Sequence, residues 1–313
     1  LAKSSHNPSS LPQGVSLHNA GHILGSTQIL VETKQERFVY TGDLKTEDCL
    51  IVRGAAPIEC DTLVIEGTYA NPQARFEQRN EVYQQMAYWV EKSFAASNLL
   101  FGAYAIGKAQ ELVKFLNTYC KITPVVDGDI ARACQVYKSN GIALEWADAS
   151  SQQGQQALEG DFVAIVPQSR IGGGIAKKLE AAHGAPIKTA VATGWAATRK
   201  FGTDAAFALS DHADYNQLVE YVLACKAKKV YCTHGNEQLF ARELRKLGID
   251  AHAAPGRQSS EKQEKEQPLQ STLESWSESG SEGACSCGEN TQRSQALVLA
   301  QATGGARKTW HGL

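Results

Sequence analysis

Five short segments carry residue types suited to hydrolytic chemistry. They are AGHILGST with His22, VYTGDLKTED with Asp43, LVIEGTY with Glu66, FALSDHADY with His212 between Asp211 and Asp214, and VYCTHGN with His234. Each falls where an apolar run ends and turn-prone residues begin, the place where a strand hands a side chain to a loop. Singly, each has an ordinary explanation. A lone histidine is more often packed or solvated than a ligand, Gly42-Asp43 makes a good turn, Glu66 reads as a strand-end carboxylate, and Ser210 or Asp211 reads as a helix N-cap. Together, two histidines and an aspartate supply the nitrogen and oxygen donors a zinc-type ion prefers, with Glu66 and a third histidine left to orient or polarise a phosphate. The chemistry is that of a metal hydrolase. The set falls short of the roughly seven donors a two-metal centre needs.

The elements that must position these residues follow from periodicity. Period-two apolar runs at residues 28–31, 37–41 and 62–65 predict strands. From Glu77 the pattern predicts a long helix through Val82, Met86, Trp89 and Val90. Strand 99–104, helix 108–119, strand 122–126 and helix 130–139 follow. Strand 161–166 then runs into Gly172, Gly173 and Gly174 and a helix, with strand 187–193 after it. The last part alternates helix 215–225, strand 229–233, helix 238–247 and a strand at 250–253. Strands alternating with helices predict parallel βαβ units, and the middle of the chain reads as an α/β insert between two pieces of another α/β layer.

With 313 residues and 42% hydrophobic composition, the chain can bury a sizeable core and suggests about two domains. Lys plus Arg number 31 against 33 Asp plus Glu, a net charge of -2, so no global positive field draws in a polyanion and any such partner is gripped locally. Eight cysteines without a C-x-x-C pair do not form a disulfide framework in a chain of this length, which favours a reducing, cytoplasmic setting. No membrane span or leader peptide is read. From Arg257 onward Ser, Gly, Glu and Gln supply half of the residues without periodicity, which predicts a disordered tail over 257–313 with Cys285 and Cys287 as incidental thiols.

The ordered set GH-L-GS, TGD, E-TY, S-x-H-A-D-Y and T-HG, with YTGDLKTED, FGAYAIGKAQEL, VATGW and LSDHADY, resembles the metallo-β-lactamase-fold nucleases of the β-CASP group, and within it the bacterial ligase-associated DNA exonucleases. The resemblance covers about residues 14 to 253. It implies an α/β fold: a metallo-β-lactamase αββα sandwich with its N-terminal part missing, over residues 1–70 and 209–256, and a Rossmann-like β-CASP domain inserted over 71–208. It also implies two divalent metal ions of the zinc type, with His22 on one metal, Asp43 bridging and His234 on the second. Glu66 would hold His212, which would contact the scissile phosphate and protonate the leaving oxygen. Lys108, Arg170, Arg199 and Lys200 are candidate phosphate contacts, since helix N-termini and nearby cations favour anions.

The implied activity is phosphodiester hydrolysis as a DNA exonuclease on single-stranded or duplex-end DNA, in repair alongside a DNA ligase. An RNA-processing nuclease and a metal-free binding subunit are the alternatives. The family's H-x-H-x-D-H segment has no counterpart before His22, where only His6 and His18 stand. The reading is that a missing upstream segment supplies those ligands, so the chain alone is expected to hold metal weakly and to be inactive.

Overall fold

A computed structural model of the chain describes residues 11–171 and 174–254. The tail expected from residue 257, with Cys285 and Cys287, lies outside these residues, as do His6, Gly172 and Gly173.

The first third of the chain makes β1 (Val15–Asn19), β2 (Thr27–Glu32), β3 (Arg37–Tyr40) and β4 (Thr62–Gly67). β1, β2 and β3 pair antiparallel in sequence and β3 pairs parallel with β4. The chain then builds α1 (Arg79–Phe94), β5 (Asn98–Ala103), α2 (Lys108–Phe115), β6 (Val125–Val126), α3 (Gly128–Ser139) and β7 (Ala147–Asp148). After these come α4 (Gln152–Leu158), β8 (Val163–Pro167), α5 (Ile175–His183), β9 (Ile187–Ala192) and β10 (Ala205–Phe207). The last elements are α6 (Tyr215–Cys225), β11 (Lys229–Gly235), α7 (Glu237–Lys246) and β12 (Ala251–Ala253).

Strands β11 and β12 return to the first sheet, giving the order β1-β2-β3-β4-β11-β12, and β5 to β10 form a second sheet in the order β10-β9-β5-β8-β6-β7. Every pairing in the second sheet is parallel. The predicted α/β class with parallel βαβ units is therefore found.

Burial shows how the sheets are covered. All six residues of β5 are buried, as a central parallel strand with helices on both faces requires. On one face Leu99, Phe101 and Ala103 pack with Val82 and Met86 of α1, Leu112 and Val113 of α2 and Ile130 of α3. On the other, Leu100 packs with Phe162, and Ile175 and Leu179 of α5 lie against that cluster. In β4 and β11 burial alternates instead: Leu63, Ile65, Val230 and Cys232 are buried with Leu218 and Val222 of α6 and Phe240 and Leu244 of α7, while Val64 and Tyr231 are half-buried. One face of the first sheet is thus the more fully covered.

Several elements differ from the sequence reading. The helix at 108 ends at Phe115 and passes into a π-helical turn, Leu116–Cys120, closed by Lys121 in a left-handed conformation (φ 56°). The strand expected at 122–126 shrinks to Val125–Val126, because Pro124 has no N–H to give to a ladder. The alternation of Val15 and Leu17 before His22 is β1, whereas β7, α4 and β10 have no counterpart in the sequence reading. The N-cap of α6 is Asp214, which accepts from the Gln217 N–H at 2.9 Å, rather than Ser210 or Asp211.

Candidate functional site

Four of the five chemical segments meet at one end of the first sheet. His22 follows β1 in a loop that Gly21 sets against the chain after β3. Gly21 adopts φ 74°, and a Cβ there would lie 2.1 Å from the Lys45 carbonyl oxygen, so only glycine permits this approach. Asp43 follows β3 and Gly42, and its side chain is 44% exposed. The His22 Nε2 stands 3.8 Å from the Asp43 Oδ2. His212 comes from the loop between β10 and α6, and the His22 and His212 ring centroids are 4.5 Å apart. One ligating atom from each of His22, Asp43 and His212 fits within a mutual distance of 4.8 Å.

Glu66, at the end of β4 and 1% exposed, ties the cluster from beneath. Its Oε1 accepts from the Leu44 N–H at 2.9 Å, next to Asp43, and pairs with the His212 Nδ1 at 2.7 Å, while its Oε2 accepts from the Thr68 N–H at 2.9 Å. Burial pushes the Glu66 carboxyl up, but the His212 hydrogen bond and charge, with Thr68 and Leu44, outweigh it and hold the group below its ordinary value. Burial pulls His212 down, and the Glu66 hydrogen bond and charge overcome this and raise it. His22 is lowered, first by burial and then by the charge of His212. Its Nδ1 lies 3.0 Å from the Asp211 carbonyl oxygen, which can only accept, so the Nδ1 carries the proton and the Nε2 lone pair is free.

His234 stands apart from this group. It is exposed at the end of β11, where the register with β4 shifts between Thr233 and Gly235, and it adopts φ 55°. The extra residue is a bulge, a device that re-aims a side chain. Gly235 is fixed there because a Cβ would lie 2.8 Å from the Gly67 carbonyl oxygen. Among the described residues, His212 rather than His234 completes the three-residue cluster, because Glu66 anchors its ring beside His22.

The expected phosphate contacts divide. Lys108 is 1% exposed and its ammonium pairs with Glu111 at 2.8 Å and Asp211 at 2.7 Å, so it faces the protein interior instead of a surface groove. Its helix-start position matches a phosphate site in sequence, but both of its partners are carboxylates of this chain. Arg170 is 55% exposed and paired with Asp127. Arg199 and Lys200 are exposed. The Arg199 guanidinium lies 4.2 Å from the centre of the Trp195 ring, Trp195 packs on Tyr69 at 4.7 Å, and Tyr69 meets His212 edge-on at 6.0 Å. A line of contacts therefore runs from an exposed cation to the site.

The sequence reading missed Arg79, Glu111 and Lys45. Glu111 offered a signal, being a carboxylate three residues after Lys108 on a helix that otherwise buries Ala109, Leu112 and Val113. Arg79 offered none. The Lys45 Nζ is buried without a hydrogen-bond partner, in a small cavity shared with Arg79, Ser210 and His212.

The donor set suits a divalent metal. The His22 imidazole and the Asp43 carboxylate are zinc-type ligands, and their separation of 3.8 Å lets one ion at the usual distance of about 2.0–2.2 Å touch both. The His22 ring has its Nδ1 tied to the Asp211 carbonyl oxygen, the arrangement usual for metal-bound histidines, and the His212 ring is held by Glu66 in the same way, with its Nε2 left unpaired among the described residues.

Comparison with known proteins reaches part of the site directly. Residues 205–255, which include His212 and His234, match a family described as Zn-dependent metallo-hydrolase RNA specificity domain. A probable DNA ligase of Opitutus terrae is 32% identical over 250 residues, covering 77% of this chain and 23% of that protein. An RNase J-like protein of Methanocaldococcus jannaschii is 30% identical over 134 residues, covering 39% of this chain and 31% of that protein. The chain thus matches about a quarter to a third of the length of these relatives. A crystal structure of a protein of unknown function from Enterococcus faecalis V583 shares the fold, with a TM-score of 0.50 and 13% identity, over 72% of this chain and 59% of that one. The family's description implies a divalent metal cofactor. The relatives, the matched domain and the convergence of motif residues agree in supporting a metallo-β-lactamase nuclease of the β-CASP group, with a relative that carries a ligase name.

Proposed function

We propose that the protein is a metal-dependent nuclease that hydrolyses phosphodiester bonds, acting as a DNA exonuclease in repair alongside a DNA ligase. The observation that carries the reading is the meeting of His22, Asp43 and His212 over the buried Glu66 carboxylate. In this reading residues 1–70 and 209–256 are the metallo-β-lactamase part and 71–208 the β-CASP insert. His22 and Asp43 would hold metal, Asp43 would be shared between two ions, and His234 would serve the second from its bulge. The metal supplies Lewis acidity toward the phosphodiester and acidifies water near neutral pH.

The side chains do the rest. The Asp211 carbonyl fixes the His22 proton on Nδ1, leaving Nε2 to bind. Glu66 holds His212 by its Nδ1, so that Nε2 is the atom that passes a proton to the leaving oxygen and then takes one back. Asp43, the most open of the three, presents its carboxylate oxygens to the solvent side, from which a metal ion would enter. Arg199 and Lys200 supply exposed positive charge for the strand's phosphates beside the Trp195–Tyr69 pair, which suits a nearly neutral chain that must grip a polyanion locally.

Support for DNA comes from the ligase-named relative, which aligns over most of the chain. A second reading, RNA processing, is favoured by the RNA-specificity description of the domain at 205–255 and by the RNase J-like relative. Digestion of single-stranded DNA and RNA of matched sequence by the full gene product, with and without chelator, tests both. The proposal requires chelator-sensitive loss of DNA from one end. RNA cleaved with DNA untouched moves the function to the second reading, and cleavage indifferent to chelator removes the metal from both.

A further inference from the structure

Behind the site lies a buried ionic cluster that the proposed chemistry does not use. Glu111 of α2 is fully buried and takes three donors: Arg79 Nη1 at 2.5 Å, the Tyr83 hydroxyl at 2.5 Å and Lys108 Nζ at 2.8 Å. Each cation has a second bond, and both end on the loop that carries His212. Arg79 Nη2 donates to the Ser210 carbonyl at 2.5 Å, and Lys108 Nζ donates to Asp211 Oδ1 at 2.7 Å. The two residues preceding His212 are therefore each gripped by a buried cation from the helical layer of the second sheet. The grip continues toward the site through the main chain, because the Asp211 carbonyl is the group that accepts the His22 Nδ1 proton.

The packing around the cluster leaves that carbonyl little freedom. Gly107, at the start of α2, adopts φ 86°, and a Cβ there would lie 2.4 Å from the Ile23 Cγ2 and 3.3 Å from Asp211 Oδ2. The helix start, the residue after His22 and the Asp211 side chain are thus in direct apposition. Inside Ser210–His212, the Ser210 hydroxyl accepts the His212 N–H and donates to the His212 carbonyl, both at 3.0 Å, which makes the segment one rigid turn. Burying so many charges is costly, and such clusters are best understood where they specify one arrangement.

We propose that Lys108 and Glu111 are positioning residues: through Asp211 they fix His22 as its Nδ1-protonated tautomer, with its Nε2 lone pair turned to Asp43 and His212. The helical layer of the second sheet thereby presets a side chain of the first. The consequence for metal affinity rests on the reading of His22 as a ligand. The tautomer itself does not.

The experiment is long-range proton–nitrogen NMR of the histidine rings above neutral pH, with Co²⁺ titration, on the protein and its Lys108→Met, Lys108→Arg and Asp211→Asn variants. The unaltered protein should show His22 protonated on Nδ1 alone. Lys108→Met should give a mixture of tautomers and about 10- to 100-fold weaker Co²⁺ binding, the usual cost of losing a group that orients a ligand. Lys108→Arg, which keeps a cation within reach of both carboxylates, should restore the single tautomer. Asp211→Asn keeps the carbonyl and weakens only its tether, so it gives the same readout if Lys108→Met does not fold. An unchanged His22 tautomer in Lys108→Met or, where that variant does not fold, in Asp211→Asn overturns the proposal. A shifted tautomer with unchanged Co²⁺ affinity upholds the positioning role and removes His22 from the metal site.

Discussion

Replacing Glu66 with glutamine tests whether one buried carboxylate ties the two halves of the site. Its oxygens meet three donors, from Leu44, Thr68 and His212, at 2.9, 2.9 and 2.7 Å. Glutamine keeps the shape but offers one acceptor oxygen and two N–H donors. With that oxygen left on Leu44 and His212, the amide nitrogen faces the Thr68 N–H, and a buried donor goes unmet at about 1–3 kcal/mol. The bond to His212 also loses its charge, and charge-assisted bonds are roughly twice as strong as neutral ones. Against this, a neutral amide is easier to bury than a carboxylate, the effect that pushes the Glu66 pKa upward. The net expectation is a loss of about 1–3 kcal/mol, or roughly 2–12 °C in Tm at about 2–4 °C per kcal/mol for a fold of this size. Urea denaturation should show a lower midpoint at unchanged slope. In a His212→Ala background Glu66→Gln should cost about 0.5 kcal/mol less or better, because neighbours that share a bond are coupled. A change below about 0.5 kcal/mol in the single variant, or strict additivity in the pair, would refute the reasoning.

Gly107→Ala should destabilise by at least about 2 kcal/mol, since it adds strain at φ 86° and a contact at 2.4 Å with Ile23, whereas Gly160→Ala, with nothing within 4 Å, should stay within about 0.5 kcal/mol. Thermal melts of both against the parent check this. Burial alone would lift the Glu111 carboxyl, but the charges of Arg79 and Lys108 hold it well below the usual carboxylate range. Because the folded value lies below the unfolded one, about 4.3, its stabilisation is complete above that pH and is lost as pH falls from there toward the folded value. Melts across this range should show Glu111→Gln losing less stability on acidification than the parent, and parallel acid limbs would contradict the assignment.

The parts of the fold that sequence reveals are those with a strong period or a complete set of chemical groups. β2 to β4, α1 and β5 were legible because their apolar residues repeat over whole elements. β7 and β10, of two and three residues, are fixed by the strands beside them and carry no period of their own. His22, Asp43, Glu66 and His212 were legible because chemical side chains recur at strand ends, and the structure brings these four together. Lys108 was misread because a cation at a helix start suggests an anion in solvent, and only folding reveals Asp211, 103 residues away, as the anion. Arg79 was silent because its partners, Glu111 and Ser210, are 32 and 131 residues distant.

The most direct test of the account is the metal content, after exhaustive dialysis, of the full gene product and its Asp43→Asn and His212→Ala variants. Asp43→Asn replaces a carboxylate held to bridge both ions with a neutral amide, so it should lose bound metal together with activity. His212→Ala should keep its metal and its affinity for single-stranded DNA while turnover falls by about 10²- to 10⁴-fold, the usual worth of a proton donor. Metal retained in Asp43→Asn would contradict the proposed centre, and a His212→Ala protein stripped of metal would make His212 a ligand and leave the leaving oxygen without its proton donor.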